Sequence, residues 1–151
     1  MNAKGKALTA VLTGLIGLAA VAGPAHAAGI VMLPKAKGVN KTVSGLSRSK
    51  PGEYTAHAEL QVVNWGPAEN VSCSLWTNAR ESAGDTGWRP VSTDSVIVGA
   101  PVDFDNDIQL DAVIDSTRRF KVEVRCNHTG GAFGNRPYVE PGAFTVVFSN
   151  P

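Results

Sequence analysis

The segment Arg118–Asn127 reads R-R-F-K-V-E-V-R-C-N, and its residues sort by parity. Phe120, Val122, Val124 and Cys126 share one parity; Lys121, Glu123, Arg125 and Asn127 share the other. Successive side chains of a β-strand point to opposite faces, so this strand carries one apolar and one charged face. It needs a core on one side and water on the other. The pattern recurs. Ala56, Ala58, Leu60 and Val62 alternate with His57, Glu59, Gln61 and Val63, and Ile108, Leu110, Ala112 and Ile114 alternate with Gln109, Asp111, Val113 and Asp115. Val71-Cys73-Leu75, Ser95–Val98 and Phe144-Val146-Phe148 supply further apolar rows. Asn64-Trp65-Gly66-Pro67 and Gly99-Ala100-Pro101 punctuate them as turns. No segment has the spacing of an amphipathic helix. The chain is expected to be all-β, a single-domain antiparallel β-sandwich of about seven or eight strands.

The first residues read as a leader. Lys4 and Lys6 precede an uncharged run from Ala7 to Ala22, Pro24 breaks it, and Ala25-His26-Ala27 has the small-x-small form that a signal peptidase cleaves. The run falls short of the roughly 20 apolar residues a spanning helix needs. Residues 1–27 are therefore expected to be a signal peptide cleaved after Ala27, giving a secreted protein with no membrane anchor. Residues 28–51 carry Lys35, Lys37, Lys41, Arg48 and Lys50 without a carboxylate, and read as a basic N-terminal arm or as edge strands, ahead of a sandwich domain over residues 52–151. The formal charge of +1 becomes −1 once the two leader lysines are removed. A balance so near zero excludes nucleic-acid binding by bulk charge.

Export decides how the two cysteines are read. In an oxidising compartment Cys73 and Cys126 are expected to form a disulfide, not a metal or redox pair. Since both sit in apolar rows, the bond is read as a bridge between two packed sheets. Two inward cysteines at this separation, the second ending an alternating strand, resemble the immunoglobulin-type sandwich. Cys73-Ser74-Leu75 and Val122-Glu123-Val124-Arg125-Cys126 are also similar to the C-x-L and V-x-V-x-C strands of small exported bacterial β-sandwich proteins of unknown function, over residues 55–148. That resemblance implies an exported location and an immunoglobulin-like fold class, and no activity.

The chemistry-bearing residues are few. Asp103, Asp105 and Asp107 open like an EF-hand calcium loop, but the sixth and twelfth positions are Ile108 and Ile114 where that loop has Gly and Glu. With Asp111 and Asp115 beyond them, these aspartates are expected on a solvated turn and an outward strand face, some paired with Arg118, Arg119, Lys121 or Arg125, with no metal; Asp103, Asp105 and Asp107 stand as calcium candidates only if another loop adds oxygens. His57 and His128, the histidines beyond the leader, are expected on the surface or in loops. No nucleophile elbow, zinc helix or phosphate-binding loop is present. The chain is expected to be non-enzymatic and to hold no cofactor.

Trp65, Trp76 and Trp88 lie at strand ends and loops, and Trp76 has the parity opposite to Cys73, so it should face outward. With Tyr138 they are the candidate ligand-binding residues, because a large flat apolar surface with a polar handle suits sugars and proteins alike. The expected role is an extracellular binding or structural module, with a cell-wall glycan or an extracellular protein as partner. The alternatives are a secreted inhibitor presenting Asn78–Gly87 or His128–Pro137 to a protease, and a small hydrolase assembled from loops.

Overall fold

The apolar rows pair into two sheets. A computed structural model describes residues 29–100, 105–129 and 136–149, and residues 1–27, the expected leader, lie outside them. Eight strands follow in order: β1 (Val31–Met32), β2 (Lys41–Arg48), β3 (Gly52–Val63), β4 (Glu69–Thr77), β5 (Arg89–Val98), β6 (Asp105–Ser116), β7 (Phe120–His128) and β8 (Tyr138–Phe148). One sheet has the order β1-β8-β3-β6 and the other β2-β7-β4-β5. All pairings are antiparallel.

The order follows from one long hairpin. β1 pairs with β8, β2 with β7, β3 with β6, and β4 with β5, as though the chain had been doubled back at the β4–β5 loop. Rolling that hairpin brings β3 beside β8 and β4 beside β7, which completes two four-stranded sheets. This wiring is the eight-stranded jelly roll. The sandwich is as expected; the immunoglobulin-like arrangement is not, since immunoglobulin domains group their strands as ABED and CFG.

The disulfide also differs from the expectation. Cys73 and Cys126 are bonded and fully buried, but they are direct partners in the β4–β7 ladder, with Cα atoms 4.1 Å apart. The bond lies within one sheet instead of between two. Parity places both sulfurs on the core side and says nothing about which sheet each strand joins. Two inward cysteines on adjacent strands satisfy it as well as two facing each other across the core.

The sheets are therefore held together by packing. Tyr54, Ala56, Ala58, Leu60 and Val62 of β3 share one core with Phe120, Val122 and Val124 of β7 and Val71 and Leu75 of β4. Tyr54 meets Phe120 of the opposite sheet edge-on, with ring centroids 5.0 Å apart. A polar clamp crosses the gap as well, because Arg48 at the end of β2 donates from Nε to the Val146 carbonyl of β8 at 2.7 Å.

The loops separate by end. The β1–β2, β3–β4, β5–β6 and β7–β8 connections lie at one end; β2–β3, β4–β5 and β6–β7 lie at the other. At the first end Gly99 has φ +117°, and a Cβ there would sit 2.6 Å from the Gly66 carbonyl oxygen. Asn64 stitches the same place, donating from Nδ2 to the Pro67 and Val98 carbonyls at 2.8 and 3.1 Å.

Removing the disulfide should weaken this fold without dissolving it. The Cys73→Ala/Cys126→Ala variant is expected to lose about 2–4 kcal/mol of unfolding free energy in urea titrations while keeping its β-sheet circular dichroism. A variant with no sheet signal would show that the bond, and not the core, holds the sandwich.

Candidate binding surface

The outer face of the β2-β7-β4-β5 sheet gathers the residues that alternation turns away from the core. Across three strands the rows run Asn127–Ser72–Ser95 and Arg125–Ser74–Thr93, with Glu123 beside Trp76 in the next. Ser74 and Thr93 hydroxyls hydrogen-bond at 2.8 Å. Trp76 faces outward as its parity requires. A register shift after Leu75 sets it opposite Pro90, which the edge strand β5 tolerates because a proline there forfeits no interior ladder bond.

Trp88, just ahead of β5, closes over the same spot. The Arg125 guanidinium carbon lies 4.9 Å from the Trp76 ring centroid and 4.5 Å from that of Trp88. Glu123 Oε2 accepts from Arg125 Nε and Nη2 at 2.9 and 2.8 Å, holding the guanidinium in place. Each such cation–π contact is worth about 0.5–1 kcal/mol at a partly exposed site. Arg125 thus fixes two half-buried indoles at one spacing.

The other two aromatic candidates are elsewhere. Trp65 is 74% exposed on the β3–β4 turn, at the far end of β4 from Trp76. Tyr138 begins β8 in the opposite sheet. The structure therefore joins Trp76 to Trp88 and leaves Trp65 and Tyr138 apart. Arg125, which unites the pair, was expected to serve the aspartates.

The β1-β8-β3-β6 sheet is chemically different. Its strands carry Glu53, Glu59, Asp105, Asp107, Asp111, Asp115 and Glu140 and no Lys or Arg. His57 stands among them, with Nδ1 2.7 Å from Asp111 Oδ1 and Nε2 3.2 Å from Glu59 Oε1. The hydrogen bond with Asp111, then that with Glu59, raises the His57 pKa above its usual value, against a smaller opposing effect of burial. No ion pair links these aspartates to Arg118, Arg119, Lys121 or Arg125 among the described residues; Asp111 takes His57, and Arg125 takes Glu123. Asp103 lies outside the described residues, Asp105 begins β6, and Asp107 is exposed opposite Gln61. Among the described residues no cluster of three or more His, Cys, Asp or Glu is placed to hold a metal ion.

His128 is buried, contrary to its expected surface position. It shares the inward parity of Cys126, and its Nδ1 lies 2.9 Å from Oε2 of the equally buried Glu69. The approach meets an ion-pair distance without hydrogen-bond angles, so electrostatic attraction rather than a directed bond joins the two groups. Nε2–H donates to the Pro34 carbonyl at 2.6 Å, so His128 ties the β1–β2 connection to the ends of β4 and β7. Buried this deeply, it serves the framework.

The Asn78–Gly87 loop is half framework too. Lys121 N–H donates to Asn78 Oδ1 at 2.7 Å, Ala79 is buried, and Thr117 N–H donates to the Arg80 carbonyl at 2.8 Å. Beyond Arg80, Asp85 Oδ2 accepts from Ser82 and Glu81 N–H at 2.9 and 3.0 Å. The bond from Ser82 is the largest of the influences that lower the Asp85 pKa. In the other proposed inhibitory loop, residues 130–135 lie outside the described residues.

No family model and no curated protein matches the chain. Its fold is similar to solved structures of infectious bursal disease virus. The Gx strain structure gives a TM-score of 0.52 at 12% identity, covering 82% of this chain and 32% of the viral one. The Gt strain structure gives 0.51 at 12% identity, covering 79% and 28%. The VP2 subviral particle gives 0.50 at 12% identity, covering 82% and 31%. The chain spans about a third of the length of these viral chains. The likeness is one of fold.

Two outcomes follow from the histidines. His57 stabilises the fold most fully below its unfolded pKa of about 6.5, and that contribution is lost as pH rises through the higher folded value. The melting midpoint of His57→Gln should therefore lag the native protein by more at about pH 5.5 than at about pH 8.5. Equal gaps would dismiss the pairing. Glu69→Ala, which strands a buried imidazole, is expected to cost about 3 kcal/mol or more in urea unfolding, against under about 0.5 kcal/mol for an exposed control such as Glu53→Ala.

Proposed function

We propose that the protein is a secreted, non-catalytic binding module that recognises an extracellular glycan on the outer face of the β2-β7-β4-β5 sheet. The observation that carries this reading is the Trp76–Arg125–Trp88 stack beside neutral hydroxyl and amide side chains. A sugar ring offers an apolar C–H face, which an indole covers, and a rim of hydroxyls. Ser72, Ser74, Thr93, Ser95 and Asn127 supply matching short donors and acceptors on the same sheet face. Arg125 and Glu123, the charges beside the two indoles, are matched to each other, so a neutral ligand on this part of the face meets a balanced pair. The leader features of residues 1–27 and the formed Cys73–Cys126 bond support export, since such bonds persist in oxidising compartments.

A pull-down on insoluble cell-wall glycan tests the reading. Trp76→Ala and Trp88→Ala should each lower retention about tenfold, while Trp65→Ala at the other end of the sandwich leaves it within about twofold. The same loss in all three variants, or a native protein that is not retained, would sink it.

A further inference from the structure

At the end of the sandwich away from Trp65, the turn after β2 and the turn before β7 meet, because Arg48 is the ladder partner of Phe120. Between them lies a depression of about 430 Å³ lined by Ser47, Arg48, Ser49, Asn78, Arg119 and Lys121, with Phe120 beneath. Among the described residues its lining contains no carboxylate. Arg48 donates from Nε and Nη2 to the Val146 carbonyl and from Nη1 to the Ser47 carbonyl, which fix the group, and no carboxylate pairs with it among the described residues. Arg119 and Lys121 are exposed, and neither joins an ion pair among the described residues. Asn78 spends Oδ1 on the Lys121 N–H, so its Nδ2 group remains a donor. Lys50 and Arg118 stand exposed on the two adjoining turns.

We propose that this depression binds phosphate groups of an anionic chain. A held guanidinium, two exposed cations and several neutral donors from separate segments surround one volume. That set suits a tetrahedral oxyanion with acceptors on every side, more than a flat carboxylate that needs two parallel donors. The rest of the molecule reinforces the choice, since the carboxylate-rich β1-β8-β3-β6 sheet repels an anion and leaves this end as the favourable approach. The near-zero net charge hides the site because the two signs are segregated, not absent. The site does not rest on the glycan reading, and a probe without sugar tests it alone.

Titration of the full secreted chain with linear polyphosphate at low salt should show binding that weakens as salt rises. Arg119→Ala/Lys121→Ala should weaken it about tenfold or more, and Lys35→Ala/Lys37→Ala, which removes equal charge from the opposite end, by less than about twofold. Arg119→Gln/Lys121→Gln keeps the side chains long and guards against a folding defect, which melting curves detect directly. Competition by inorganic phosphate would place recognition on a single phosphate group; its failure to compete would place it on the run of charges along the chain. Both support the site. Equal losses in the two alanine variants, or no binding of polyphosphate by the native protein, overturn it.

Discussion

The register of β4 against β7 is what the remaining structure depends on. These are the two interior strands of their sheet, and the β4–β7 ladder is one of the two pairings that turn a doubled-back hairpin into a roll. The side-chain period of a strand is two, so a slip of one residue would exchange the faces. Val71, Cys73 and Leu75 would meet water, and Ser72, Ser74 and Trp76 would enter the core. Core and outer surface are thus fixed by the same choice. The Cys73–Cys126 bond sits within that ladder and excludes the slip covalently, a different task from fastening one sheet to another. Stacking of the sheets is left to apolar burial, which is non-directional and tolerates small shifts where register does not.

Local alternation made most strands legible, and it failed wherever the answer lay in which strand stands next to which. The β7 pattern read from Phe120 to Cys126 is the strand observed, and Trp76 faces outward as its parity requires. Parity does not choose between a cross-strand and a cross-core cysteine pair, so it is compatible with the expected bridge between sheets and with the observed bond inside one sheet. The same parity continues to His128 and turns it inward, but a glycine-rich stretch follows directly, so the sequence reads as a loop or surface position there. What makes its burial tolerable is Glu69, fifty-nine positions earlier in the chain, which no local pattern connects to it. The meeting of Trp88 with Trp76 was hidden for a similar reason. It depends on the path of an aperiodic loop pinned at Asn78, Ala79 and Arg80.

Charge tells the same story at a larger scale. β3, β6 and β8 are scattered along the chain, and each carries carboxylates with no Lys or Arg. The jelly-roll wiring sets them side by side and so concentrates an acidic face that net charge conceals. Like carboxylates on neighbouring strands repel one another. His57 between Glu59 and Asp111 offsets part of that repulsion at the centre of the face, and it does so most when protonated.

The outward row of β7 shows how one strand divides two chemistries. Asn127 and Arg125 belong to the neutral, aromatic part of the face, and Lys121 to the cationic depression, with Glu123 between. Glu123 and Lys121 are two positions apart, about 7 Å along the strand. Arg125 is closer to the middle of the sheet, yet its charge is spent on Glu123 and its flat faces on two indoles. Lys121 has neither constraint. A carboxylate placed between the two cations therefore decides their roles: it turns the inner one into a spacer for tryptophans and leaves the outer one free to meet an anion.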